Sequence, residues 1–228
     1  MSRLLRAALT LALGTLAGCS GLLHSNAPPE QTYYLRAPAV PAGGGSAAAG
    51  GGSLRVARPL ADPGLDSTHI MLLESDHRMS FYSGARWPAP MPDMVGALTV
   101  QLLRASGEWS SVEDPSSPFA SDYLLQITVR RFDADYTAGP AAAAPTVYVV
   151  FDCNVGRREG RAVLANFVVA GSASAAANRL GAVVGAFEQA SDAALSALAP
   201  QVLAAVRADR ARAQNGAAPA PSSSRQSQ

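Results

Sequence analysis

The alternating segment at residues 122–136 constrains the fold more than any other part of the chain. Every second residue is apolar: Tyr123, Leu125, Ile127 and Val129. Between them stand one leucine and three polar residues: Leu124, Gln126, Thr128 and Arg130. Because successive side chains of a strand point to opposite faces, this pattern predicts a half-buried strand. A domain that contains such a strand needs a second layer of structure to cover the apolar face.

Shorter segments predict the other strands of the sheet. Their content of β-branched, aromatic and aliphatic residues favours strands at 32–36, 54–58, 70–73, 79–82, 147–155 and 162–170. The turn-forming sequence Asp62-Pro63-Gly64 separates the second of these from the third. The last two are joined by five residues with a glycine at each end, Gly156–Gly160, which suits a hairpin loop.

Two segments show helical periodicity. Asp93 can cap a helix over 93–105, whose apolar residues recur at the spacing of one helical face. A longer helix is predicted over 178–207, with its apolar side facing the sheet. Pro200 is expected to kink or break that helix, because proline has no N–H to donate and its ring clashes with the preceding turn. Residues 207–228 are predicted to be a disordered tail.

These elements predict an α+β fold. Hairpins and two helices favour a mostly antiparallel sheet with both helices packed on one face. We expect a single domain over residues 32–206, with no internal repeat.

The N-terminus predicts a bacterial lipoprotein. A basic start is followed by the apolar run Ala7–Leu16 and then by Leu16-Ala17-Gly18-Cys19, which resembles a lipobox. In this interpretation residues 1–18 are a signal peptide, Cys19 carries a diacylglyceryl group and an N-acyl chain, and residues 19–31 are a tether. The alternatives are an ordinary secreted protein with a chance cysteine, or an N-terminal membrane helix. The apolar run is too short for a helix that spans a bilayer, which needs about 20 residues.

The residue after the lipidated cysteine bears on location. Two acyl chains give stable membrane anchoring. Ser20 stands where an aspartate typically retains Gram-negative lipoproteins at the inner membrane. We therefore expect the protein at the periplasmic face of the outer membrane.

Composition excludes several classes of protein. The 228-residue chain has a formal charge of +1, and loss of Arg3 and Arg6 with the signal peptide changes it to −1, so no nucleic-acid footprint is indicated. Once Cys19 is lipidated, Cys153 is the one remaining cysteine and can form no intramolecular disulfide. Cys153 alternates with apolar residues, which favours a buried small hydrophobe over a reactive thiol.

The chain shows no convincing catalytic or metal-binding pattern. His24, His69 and His77 are scattered and lack ligand-spaced partners, so neither a metal nor an enzymatic activity is predicted. Asp133 and Asp135 would project from the same face of their strand, which is also typical of a solvated strand end. A periplasmic hydrolase that uses His69, His77 or Asp133 stays open as a rival interpretation.

The order of several short motifs resembles one family over most of the chain. The motifs are Thr32-Tyr33-Tyr34-Leu35, Leu54-Arg55-Val56, Pro63-Gly64-Leu65, Phe81-Tyr82 followed by Ala85-Arg86-Trp87, Asp122-Tyr123-Leu124-Leu125 with Arg131-Phe132, and Ala186-Phe187 with Ala190, Leu195 and Leu198. In this order they resemble the auxiliary lipoproteins of ABC-type transport systems, the PqiC-like family. The resemblance implies a fold similar to the N-terminal domain of TolB and no catalytic role.

The resemblance also implies partners. These would be an inner-membrane ABC permease and ATPase, or a periplasmic MCE-domain protein that carries lipid. The lipoprotein would link this periplasmic conduit to the outer membrane, and a ring or other homo-oligomer is compatible with that role. The alternative is a lipoprotein that braces or assembles an outer-membrane β-barrel.

Three neighbouring residues are the candidate partner-binding residues. Trp87 lies between Arg86 and Pro88, and tryptophan and arginine are enriched in protein interfaces. The second interpretation is that Trp87 packs at the sheet edge, because large aromatic side chains are usually mostly buried. Tyr82 carries the same two interpretations.

Overall fold

The segment that alternates in the sequence forms the central strand of the sheet. The computed structural model describes residues 29–39, 50–139 and 143–216. Gln31 begins the compact unit that contains every strand and both helices of these residues. The central strand, β7 (Tyr123–Asp135), buries its apolar side and leaves Arg130 exposed. The prediction for this segment is therefore confirmed.

Eight other strands and two helices are seen in the described residues. The strands are β1 (Gln31–Thr32), β2 (Ser53–Val56), β3 (Leu60–Ala61), β4 (His69–Leu73), β5 (Met79–Arg86), β6 (Ser111–Glu113), β8 (Thr146–Arg157) and β9 (Ala162–Ser174). The helices are α1 (Met91–Ala105) and α2 (Leu180–Gly216). The short strands β3 and β6 have too few residues to show a pattern, and the sequence did not predict them.

The sheet is mixed: its long pairings are antiparallel, as expected, and several short parallel pairings are added to them. Along one edge, β7 pairs antiparallel with β8 over its whole length, and β9 pairs antiparallel with β8. Along the other edge β7 pairs in parallel with β2, β3 and β4 in turn. Strand alternation is the same in both kinds of pairing, so the pattern predicts the strands but not their directions.

One face of the sheet is buried under both helices, and the α+β prediction is confirmed. Apolar residues of neighbouring strands lie side by side on this face, as Leu54 does beside Tyr123 and Ile127 beside Cys153. α2 lies against β8 and β9, and α1 contacts both β2 and α2. The opposite face, here called the outer face, carries polar residues such as Arg130 and Asp152, which form an ion pair of 3.0 Å.

A glycine allows α2 to approach the sheet closely. A Cβ atom built at Gly171 of β9 would lie 2.0 Å from the carbonyl oxygen of Ala190. On the helix, Ala190 and Ala194 are fully buried at this contact. Small side chains on both elements therefore bring the helix backbone against the strand.

The first strand is shorter than predicted. A strand was expected over Thr32–Arg36, but β1 ends at Thr32. It pairs only with Ala85 and Arg86 of β5, and the Tyr33 N–H donates the last bond, to the Arg86 carbonyl oxygen. The chain then leaves the sheet, so the remaining residues have no ladder to join.

The last helix is longer than predicted. Residues 207–216 were expected in a disordered tail, but α2 continues through Gly216. Val206 is fully buried, and Asp209 accepts a hydrogen bond from the Tyr123 hydroxyl (3.3 Å), so the final turns are attached to the sheet. Residues 217–228 lie outside the described part of the chain.

Pro200 does not break α2. Leu198 and Val202 are fully buried on either side of it, and this packing continues through the proline. Pro200 leaves only the Ser196 carbonyl oxygen without its usual donor four residues on. Burial of the helix on both sides of the proline offsets the loss of this one helical hydrogen bond.

Candidate partner-binding surface

The structure places Tyr82, Arg86 and Trp87 in very different surroundings. All three lie in or directly after β5, whose partners are β4 and, for two residues only, β1. Arg86 is exposed and lies across from His69 of β4. Tyr82 is half-buried, and Trp87 is buried.

Trp87 is part of the hydrophobic core. Its side chain is 1% exposed and makes edge-on contacts with Phe132 and Phe187, at centroid distances of 6.1 and 5.3 Å. The indole N–H has no hydrogen-bond partner in the described residues. The interpretation of Trp87 as an exposed interface anchor is therefore corrected. The second interpretation, that it packs in the fold, describes its position.

Tyr82 belongs to a short chain of hydrogen bonds. Its hydroxyl lies 2.8 Å from that of Tyr136, which in turn donates to Asn178 just before α2 (2.8 Å). Burial, together with the hydrogen bond that Tyr82 donates to Tyr136, raises the pKa of Tyr82 above its usual range. Tyr82 therefore stays neutral and ties β5 to the end of β7 and the start of α2.

The exposed residues of β4 and β5 form a separate surface that the sequence did not single out. Phe81 and Met79 are 48% and 47% exposed on the outer face, and Met71 lies opposite Phe81. The His69 ring stacks on Phe81 with 4.2 Å between centroids. We call His69, Met71, Met79 and Phe81 the β5 patch. Exposed aromatic and methionine side chains are enriched in protein interfaces, and Arg86 borders this patch.

One signal in the sequence could have identified the β5 patch. Met79 and Phe81 are two residues apart, so in a strand they share a face. Tyr82 points to the other side and is half-buried. Which of the two faces is covered depends on where the helices lie, and no local pattern gives that.

The residues of the rival hydrolase are not arranged for catalysis. His69 is stacked on Phe81, and His77 lies in the β4–β5 turn with a φ of 63°. Asp133 and Asp135 do project from the same side of β7, and both accept hydrogen bonds from Arg131, at 2.7 and 2.8 Å. Asp133 is buried in this ion pair, and so it is not the solvated strand end considered above.

Of the two cysteines considered in the sequence, Cys153 is buried and Cys19 lies outside the residues that the structure describes. Cys153 is fully buried and unpaired, which confirms the prediction of a small core hydrophobe. Within the described ranges, no group of side chains could hold a metal ion. The helices described there are also too short or too polar to cross a bilayer. Cys19 and residues 1–18 lie outside these ranges, as do residues 20–28 of the tether.

Fold and surface together define a small α+β domain that exposes an apolar patch on one end of its sheet. The chain belongs to the family of ABC-type transport auxiliary lipoprotein components, whose family model matches residues 33–199. The resemblance found in the sequence is thus confirmed. The protein is accordingly a lipoprotein component associated with an ABC-type transport system, a family not known for enzymes.

Solved structures agree with this assignment. Protein XCC0632 from Xanthomonas campestris is 26% identical, with a TM-score of 0.68 over 79% of this chain and 99% of that one. A second, uncharacterized protein is 14% identical, with a TM-score of 0.60 over 77% of this chain and 99% of that one, and shows the same fold. No curated protein matches the chain significantly.

Proposed function

We propose that this chain is a non-catalytic accessory of an MCE/ABC-type lipid transport system. Acyl chains on Cys19 hold it at the periplasmic face of the outer membrane, and its domain receives the periplasmic lipid conduit. The observation that carries the proposal is the β5 patch, an exposed apolar surface on a domain of a transport-auxiliary family. Its partner is an MCE-domain protein that works with an inner-membrane permease and ATPase.

The β5 patch suits this role because of its position in the sheet. β1 pairs with only the last two residues of β5, so in the described residues most of the outer edge of β5 has no strand partner. A partner can therefore contact the Phe81 and His69 rings and the strand edge beside them. Trp87 lies in the core directly after β5 and fixes the strand from the inside.

The test is recovery of partners with the mature lipoprotein from solubilised envelopes, identified by mass spectrometry. We expect an MCE-domain protein with the wild-type chain and at least tenfold less of it with Phe81→Ser. Val168→Ser is the matched control, because Val168 is 61% exposed on the outer face of β9, far from the β5 patch. Val168→Ser should alter the free energy of unfolding by about 0.5 kcal/mol or less. Phe81→Ser also loses the stacking on His69 and should cost about 1 kcal/mol, so the folded state of both variants is checked by urea denaturation.

Two results would contradict the proposal. Recovery of an outer-membrane β-barrel protein without any MCE-domain protein would assign the chain to the assembly role instead. Equal recovery with Phe81→Ser and wild type would remove the β5 patch from the interface.

The anchor is tested separately. Labelled palmitate should enter the wild-type chain and not Cys19→Ser, and only the wild type should fractionate with outer membranes. Incorporation into Cys19→Ser would refute lipidation at this residue. Wild-type protein in the inner-membrane fraction would refute the location inferred from Ser20.

A further inference from the structure

A row of residues crosses four strands at the other end of the outer face. Arg55 of β2 lies beside Leu124 of β7, which lies opposite Gly156 of β8, which lies opposite Val163 of β9. Gly156 has no side chain, so the row has a trough between Leu124 and Val163. Two adjoining cavities of about 490 Å³ each share Leu124 and Arg158 along this row.

The side chains that line the trough include arginines and no carboxylates. Four arginines line the two cavities, Arg55, Arg157, Arg158 and Arg161, whereas no aspartate or glutamate lines either of them. Of the four, Arg157 pairs with Asp209 (3.5 Å) on the helix side of the sheet.

The other three arginines have no carboxylate partner within the described residues. Arg55 donates to backbone carbonyl oxygens, including that of Ser117 (2.9 Å), and Arg158 reaches only the Ser121 hydroxyl (3.5 Å). Arg161 makes no side-chain hydrogen bond in this part of the chain, and its φ of 50° is unusual for a residue other than glycine. Glu113 lies beside Arg55 in the strand register and Glu159 follows Arg158 along the chain, but neither is within ion-pair distance of these arginines, so positive charge predominates along the trough.

Two of the most exposed apolar side chains border these arginines. Phe119 is 68% exposed at one end of the row and Val163 is 74% exposed at the other. Free inorganic anions need no such neighbours, whereas a membrane surface offers phosphates and acyl chains at adjacent depths. The arginines and the two exposed apolar side chains therefore suit one ligand, a phospholipid membrane surface.

We propose that in this arginine groove, formed by Arg55, Arg158 and Arg161 around Leu124, the exposed Arg158 and Arg161 bind the head groups of anionic phospholipids while Phe119 and Val163 enter the acyl region. Arg55 holds the loop that carries Phe119 through bonds to its carbonyl oxygens. The groove is distinct from the β5 patch, and its failure would leave the transport-accessory proposal intact. It gives the anchored domain a second, composition-dependent contact with lipid.

The experiment uses the full mature lipoprotein with Val163→Cys, labelled with an environment-sensitive fluorophore. Native Cys153 is fully buried and stays unlabelled. The labelled protein is reconstituted in vesicles of phosphatidylcholine, either pure or with increasing fractions of phosphatidylglycerol. The acyl anchor is the same in all of them, so a change in fluorescence reports a change in contact between the groove and the lipid. We expect a blue-shifted, stronger signal that depends on phosphatidylglycerol and is lost at high salt.

Matched variants isolate the charge. Arg158→Gln and Arg161→Gln should each weaken the apparent affinity for phosphatidylglycerol about fivefold, which is what one arginine contributes near an anionic surface. Arg212→Gln removes an exposed arginine of α2 outside the groove and should have no such effect. A label at Ser75→Cys, in the β4–β5 turn, should not distinguish the two lipids.

Three outcomes would overturn the proposal. The first is an equal signal in both vesicle types, and the second is a phosphatidylglycerol response unchanged in Arg158→Gln and Arg161→Gln. The third is a response to polyglutamate in phosphatidylcholine vesicles but none to phosphatidylglycerol, which would assign the groove to an acidic protein partner.

Discussion

At the residue scale, Asp192 of α2 is held in a position that disfavours its charge. One of its carboxylate oxygens is buried without a hydrogen bond in the described residues. Burial and the nearby Glu188 raise the pKa of Asp192, and Arg36 opposes them. Folding therefore favours the protonated form, and stability declines as the pH rises from the ordinary aspartate pKa of about 3.9 through the raised folded value.

Asp192→Asn should consequently stabilise the protein at pH 7. The gain should shrink toward zero as the pH falls to about 4, where the aspartate is increasingly neutral in both states. Urea denaturation at both pH values measures this. Asp76→Asn in the exposed β4–β5 turn changes the net charge equally and serves as the control. A gain of the same size at both pH values would show that charge is not the cause.

Cys153 should be unreactive in the folded protein. Burial, and to a lesser degree Asp152, raise the pKa of this thiol to about 12. At pH 8 its thiolate fraction is then about a thousandfold below that of an ordinary cysteine. Ellman's reagent should find no thiol in the native lipoprotein and one after denaturation, since Cys19 is expected to be acylated. Val168→Cys should react at once, and fast reaction of the native wild type would contradict the prediction.

At the element scale, the contact between α2 and β9 depends on one glycine. Gly171→Ala would place a methyl group 2.0 Å from a backbone oxygen of the helix, so the helix must shift. We expect a loss of at least about 2 kcal/mol in the free energy of unfolding, measured by urea denaturation.

Gly185→Ala is the matched substitution within α2. A Cβ atom at Gly185 meets no heavy atom within 4 Å, so the change only restricts the unfolded chain and favours the helix. It should stabilise the protein by about 0.5 to 1 kcal/mol. Equal effects of the two substitutions would show that the close approach at Gly171 does not matter.

The elements that the sequence predicts best are those with a long, regular pattern. β7, β8 and β9 were predicted because alternation continues over many residues, and the deeply buried side of β7 matches it. Residues 207–216 were misjudged because they are polar, although alanine, arginine and glutamine are strong helix formers. Their attachment through Asp209 and Val206 is tertiary and leaves no local pattern.

The candidate surfaces were harder to predict than the elements. Trp87 attracted attention because tryptophan is common in interfaces, but in this fold the aromatic rings of Phe132 and Phe187 enclose it. Phe81 has the same hydrophobic character and lies on the uncovered face. The arginine groove unites Arg55 with Arg158 and Arg161, more than 100 positions away, through strand register alone.

At the scale of the whole molecule, the domain extends beyond the residues that the family model matches. The match ends at residue 199, but α2 continues to Gly216, which adds more than four helical turns. Val202 and Val206 in that extension are fully buried, and Arg207 pairs with Glu108 in the loop after α1. Tyr123 and Arg157, at one end of the sheet, both contact Asp209. The last turns of α2 are therefore attached to the loop after α1 and to the neighbouring ends of β7 and β8.

A chain that ends at residue 199 should be much less stable for this reason. Two buried valines contribute about 1.5 kcal/mol or more each, so the free energy of unfolding should fall by at least about 3 kcal/mol. A chain that ends at Gly216 keeps every contact named here and is the reference for urea denaturation. Equal midpoints for the two chains would mean that the domain is complete at residue 199. A lower midpoint only for the shorter chain would make the last turns of α2 part of the folded unit.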